Sequence, residues 1–225
     1  MKIFEFLAQH NYCEGLMIFT ALITFIFSLR YYKRHRAFRI IPYYIGFCFV
    51  QAMVVDLYWY VSPRGDRLAD SLELISTIVF TIFEFCVFSL LILPYIAGAG
   101  WRFAIKLNAV LFFTAETLLF FRTYPRVSIY SICLVELIAI VPPCLIYFYE
   151  LFTTMNTKAL KDRASFWVVI GILYLGACSC TLFVSFEYVG RFGDGAFALG
   201  NLFYCILFVQ FIRAYKCRPE EGVVV

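Results

Sequence analysis

Residues 71–96 read SLELISTIVFTIFEFCVFSLLILPYI, a run whose only charged side chains are Glu73 and Glu84. A helix rises about 1.5 Å per residue, so a run of this length crosses a hydrocarbon core about 30 Å thick. Working outward from it, six further apolar runs of similar reach lie at Tyr12 to Leu29, Ile40 to Val61, Phe103 to Phe121, Ile129 to Phe152, Phe166 to Val189 and Ala196 to Tyr215. Seven runs separated by short polar connections predict an all-α integral membrane bundle of seven transmembrane helices. The chain reads as one domain over residues 1–225, with no soluble domain, in a cell membrane as a multi-pass protein.

Composition agrees with lipid as the main solvent. Of 225 residues, 63% are hydrophobic, 20% aromatic and only 15% charged, and the mean hydropathy is +0.84. A soluble domain carries about 25% charged residues to cover its surface. The first residues, Met1 to Glu14, lack the charge pattern and small-residue cleavage site of a secretory signal, so the first apolar run is expected to be a retained helix. Trp59, Trp101 and Trp167 all fall at predicted span ends, where amphipathic rings prefer to sit.

The connection Arg30-Tyr-Tyr-Lys-Arg-His-Arg-Ala-Phe-Arg39 holds five basic residues and no acid. Cytoplasmic loops collect lysine and arginine, which places this loop inside and, by alternation, the N-terminus outside and the C-terminus in the cytoplasm. Thirteen of the 19 basic residues then fall inside and six outside. The same residues, Arg30, Lys33, Arg34, Arg36 and Arg39, are candidates for contact with a cytoplasmic signalling protein or with lipid headgroups. The net charge of +4 sits in short clusters between apolar runs, so it reads as topology and not as a nucleic-acid surface.

Ionisable groups inside a span cost about 2.5–3.5 kcal/mol each on insertion scales, so they tend to face a cavity or a partner. On this topology Asp56, Glu73 and Glu187 lie near outer helix ends, Glu116 and Glu136 in outer halves, and Glu84 near mid-bilayer. Glu73, Thr77, Thr81 and Glu84 follow at i, i+4, i+8 and i+11, an arc of about 80° on an α-helix. They form one polar stripe suited to the wall of an outward-opening cavity. Glu136, Pro143, Tyr147 and Glu150 share a face of the fifth span, and Pro142 and Pro143 remove helix hydrogen bonds that neighbouring groups must replace. Gly171, Tyr174, Cys178, Thr181 and Ser185 form a small, polar face on the sixth span, and Asn201 with Tyr204 share a face of the seventh.

Several chemistries lack their residues. The two histidines, His10 and His35, fall outside the spans, so intramembrane metal clusters and serine–histidine pairs cannot be assembled. No lysine lies within the seventh span to hold retinal, and neither an Asn-Pro-x-x-Tyr nor an Asp-Arg-Tyr element is present. The nine cysteines are scattered without metal or redox spacing. No cofactor is called for, and carboxylates would be the only acid–base groups of an intramembrane enzyme. What stands out is an outward-opening acidic cavity formed by Asp56, Glu73, Thr77, Thr81, Glu84, Glu116 and Glu136. It points to a receptor-like or sensory module that signals through a separate cytoplasmic partner. The alternative is a small proton- or cation-coupled transporter or channel.

Overall fold

A computed structural model describes residues 12–33, 36–61, 67–123, 129–154, 157–189 and 193–217. Within them the chain forms seven α-helices: α1 Tyr12–Arg30, α2 Ile41–Val61, α3 Arg67–Ile92, α4 Ala99–Thr123, α5 Ile129–Thr154, α6 Ala164–Val189 and α7 Gly193–Lys216. Six carry an apolar stretch long enough to cross a membrane, while the described apolar stretch of α2 runs Ile41–Val54. The protein is a multi-pass helical membrane protein.

The helices close into a ring. α1 packs on α2 and α7, α6 lies between α5 and α7, and α3 links the two halves, touching α2, α5 and α6. α4 is peripheral: its span is 17% buried against 44% for those of α5 and α6. Burial on α4 is confined to Ile105, Phe112 and Glu116 among its described side chains, whereas Phe103, Val110 and Phe121 face outward. Lipid tails are as apolar as leucine, so helices in a membrane gain little by burying apolar surface against one another. Close packing and interhelical hydrogen bonds hold them instead. Gly171 provides the first, since a Cβ there would stand 3.0 Å from Cβ of Gln210 and 3.3 Å from Cδ1 of Leu207 on α7. Exposed hydroxyls are satisfied locally, with Thr114, Thr117 and Thr181 each donating to the carbonyl four residues earlier.

Some ends depart from the expected spans: α3 and α4 begin four residues early, at Arg67 and Ala99. The third span is expected to reach Ile96, but α3 stops at Ile92 and a 3₁₀ turn over Leu93–Tyr95 follows, because Pro94 has no N–H with which to continue the helix. On α6 the small, polar face is split, with Gly171 packed against α7 and Cys178 half-buried. Tyr174 and Thr181 are exposed, and the buried seam runs through Val168, Ile172, Leu175 and Ser179.

One end of the bundle gathers the basic connections. Phe38, between α1 and α2, is buried against Tyr95 and Tyr215, and its carbonyl accepts a 2.9 Å hydrogen bond from the Tyr215 hydroxyl. Tyr95 in turn meets Tyr147, and the Arg213 guanidinium lies 4.8 Å from the centre of the Trp167 ring. At this same end the Glu150 carboxylate accepts from the N–H of Ala97 at 2.7 Å and of Gly98 at 2.8 Å. These donors stand just before α4, where helix N–H groups have no partner within the helix and a negative charge is favoured. Gly98 is required by the close approach: a Cβ there would lie 2.8 Å from Oε1 of Glu150.

Candidate functional site

The centre of the bundle holds three buried carboxyl groups from three helices: Glu84 of α3, Glu116 of α4 and Glu136 of α5, exposed by 1%, 4% and 2%. Glu84 is the hub. The Tyr44 hydroxyl of α2 donates to its Oε1, the Tyr204 hydroxyl of α7 donates to its Oε2 at 3.0 Å, and Glu136 is hydrogen-bonded to it. An ionised carboxylate can only accept, so a carboxyl–carboxyl hydrogen bond needs a proton between the two groups. Both oxygens of Glu84 already receive phenolic O–H donors, and the Glu136 carboxyl completes its surroundings from α5. Four helices, α2, α3, α5 and α7, therefore meet in one hydrogen-bonded unit.

Glu116 stands beside this unit on α4, which packs against α5, and Cys133 lies about one turn before Glu136 on α5. Both oxygens of Glu116 and Oε1 of Glu136 are buried without a hydrogen-bond partner. Leaving a buried acceptor unpaired costs about 1–3 kcal/mol, more when it is charged. The α4–α5 side of the cluster thus has acceptors in excess, whereas the α3 side is fully paired. Among the described residues no three His, Cys, Asp or Glu side chains stand close enough to ligate one metal ion. The arrangement suits an organic cation or another bearer of N–H or O–H donors.

The local sequence explains why α4 and α5 lie so close here. Pro143 has no N–H to give to the carbonyl of Ala139, its partner four residues back. That carbonyl accepts instead from the Asn108 side chain of α4, at 2.7 Å. The replacement lies one turn from Glu136 and two turns along α4 from Glu116, so it pins together the two helices that bear the unpaired oxygens.

The remaining candidates are placed as follows. Thr81 is buried and donates to the carbonyl of Ile78 at 3.0 Å, and Thr77 is half-buried on the same face. The side chains of Asp56, Glu73 and Glu187 lie outside the described residues, and with them the outer end of the expected stripe. Arg30, Lys33 and Arg39 are exposed at the basic end, while Arg34 and the Arg36 side chain are outside the described residues. Glu84 and Glu136 meet although counting from the starts of their helices would set them about 15 Å apart in depth. α3 begins far ahead of α5, and the two run parallel in a register that brings residue 84 to 136 and residue 98 to 150. Two contributors, Tyr44 and Asn108, escape sequence reasoning: one of two adjacent tyrosines near a helix start and a lone asparagine in a span carry no periodic signal. The Asn108 role is readable in principle from Pro143, which demands a donor from some facing helix.

No family model, characterised protein or solved structure matches this chain. The functional reading rests on its own residues.

Proposed function

We propose that the protein is a receptor-like membrane module in which a ligand bearing a positive charge or several N–H donors engages Glu116 and Glu136 and shifts helix packing. The observation that carries this reading is the cluster's asymmetry. Three buried acceptor oxygens without partners face a carboxylate that is fully tied to α2, α5 and α7. A ligand that took the shared proton or turned the Glu136 carboxyl would loosen the bond to Glu84, and through Glu84 the seats of Tyr44 and Tyr204. Binding shifts a packing equilibrium only if one packing holds the ligand better than the other, and the donor-hungry α4–α5 side supplies that difference.

In this reading the N-terminus is outside and the basic end lies in the cytoplasm, as the distribution of lysine and arginine requires. Arg39, with Arg34 and Arg36, then forms the docking surface for a soluble signalling partner, and Asp56 and Glu73 lie toward the outer mouth. The transport alternative needs a polar path onward from Glu84 to the basic end. Phe85, Phe88, Phe208 and Phe211, each 0–1% exposed, and Tyr44 packed on Phe88 and Phe211 fill the interior near Glu84, which favours a closed sensor.

The test is a thermal-shift screen of organic ammonium compounds on detergent-purified protein. A ligand at about 100 times its dissociation constant adds about 2.7 kcal/mol of stability, and Glu116→Gln should remove the shift without unfolding the protein. A panel that stabilises nothing, or a shift unchanged in Glu116→Gln, defeats the ligand assignment. The docking surface is tested separately, by co-purification with a soluble partner before and after neutralising Arg34, Arg36 and Arg39.

A further inference from the structure

A second site lies outside the carboxyl cluster and stands or falls without it. Between α1 and α2, with Phe83 of α3 at its floor, runs a groove of about 940 Å³ at the basic end of the bundle. Its apolar wall includes Leu29, Phe47 and Val50, and its rim carries Arg30 and Lys33, with no acidic residue in the lining. Leu29, Tyr43 and Val50 are 53%, 64% and 59% exposed, on a face that lipid covers in a membrane.

Gly46 explains the depth of the groove. It lies in the wall, and a Cβ built there would meet nothing within 4 Å, so no packing partner accounts for a glycine in the interior of α2. The open space is on the groove side. At the rim the Tyr32 and Tyr43 hydroxyls pair at 3.3 Å, and the Arg39 guanidinium lies 5.3 Å from the centre of the Tyr32 ring. This aromatic bridge borders the cationic mouth.

We infer that the groove is a binding site for one anionic glycerophospholipid, its phosphate held by Arg30 and Lys33 and an acyl chain lying over Gly46 between Leu29 and Val50. Charge complementarity selects this occupant. A cleft that is apolar along its length and cationic at one end matches a molecule with a long hydrocarbon tail and an anionic head, and basic pockets between transmembrane helices on the cytoplasmic side take such headgroups. A soluble anion would leave the apolar length unused, and a zwitterionic lipid would gain little from two uncompensated cations.

Native mass spectrometry of detergent-purified protein with equal amounts of phosphatidylglycerol and phosphatidylcholine of identical chains provides the test. One phosphatidylglycerol should be retained with about thirtyfold preference, from two cations acting on a headgroup whose negative charge no choline offsets. Arg30→Gln with Lys33→Gln should bring retention down to the phosphatidylcholine level. Gly46→Phe, whose Cβ has open space around it and whose ring would occupy the groove, should lower retention of both lipids, and the melting temperature of each variant checks folding. Equal retention of the two lipids by the native protein, a preference that survives loss of both cations, or retention unaffected by Gly46→Phe overturns the assignment.

Discussion

Replacing Asn108 by leucine isolates the hydrogen bond that compensates for Pro143. The amide of Asn108 donates to the Ala139 carbonyl at 2.7 Å in a part-buried setting between α4 and α5. Leucine keeps the size of the side chain and removes the donor, leaving a carbonyl that Pro143 cannot satisfy. Interhelical hydrogen bonds in membranes average about 0.6 kcal/mol and reach about 1.7, but here the acceptor has no second donor, so a loss of about 1–2 kcal/mol is expected. In a Pro143→Ala background the new N–H of residue 143 bonds to Ala139 within α5. Asn108→Leu should then cost about 0.5 kcal/mol or less, giving a coupling of about 1 kcal/mol in the double-mutant cycle. Reversible unfolding in mixed micelles, followed by circular dichroism, measures all four proteins. Equal costs of Asn108→Leu in both backgrounds would refute the claim that asparagine stands in for the missing N–H.

Glu84→Leu strands two buried phenols and the Glu136 carboxyl and should cost about 2–4 kcal/mol, whereas Glu84→Gln, which still offers an acceptor, should cost less than half as much; melting in detergent separates them. Gly171→Val, forced against Gln210 and Leu207, should destabilise by about 1–3 kcal/mol, while Gly46→Ala, with open space around it, should be neutral or stabilising by up to about 1 kcal/mol. Glu150→Ala should cost about 1–2 kcal/mol by uncapping α4 and speed hydrogen exchange at the amides of Ala97 and Gly98; unchanged exchange there would count against the cap. Reporter fusions at Val225 should be active only in the cytoplasm, and activity on the far side would reverse the orientation.

The helices were legible because one interaction dominates them: a run of about 20 apolar residues has no stable alternative to a helix in lipid. α1, α2 and α5 begin within a residue of their expected starts, whereas α3 and α4 begin four residues early, and α3 also ends four residues early, before Pro94, where a local backbone rule overrides hydropathy. Glu84, Glu116 and Glu136 stood out for the same reason, since a carboxyl in a span is costly wherever it points. Their mutual distances were not legible. Helical spacing fixes angles on one helix, but the register of α3 against α5 depends on contacts such as Glu150 with Ala97 and Gly98, between residues over 50 positions apart. Tyr44 was hidden for the same reason: its partner is 40 positions away on another helix.

The parallel register of α3 and α5 restricts how the bundle can move. Glu136 and Glu150 grip α3 and its following turn at two points about 21 Å apart along α5. A piston stroke of one helical turn would break both grips at once, so these two helices should travel as a single strut. Any stroke passed toward the basic end must then come from tilting that strut, because α7 is tied at two points, by Tyr204 to Glu84 and by Tyr215 to the Phe38 carbonyl.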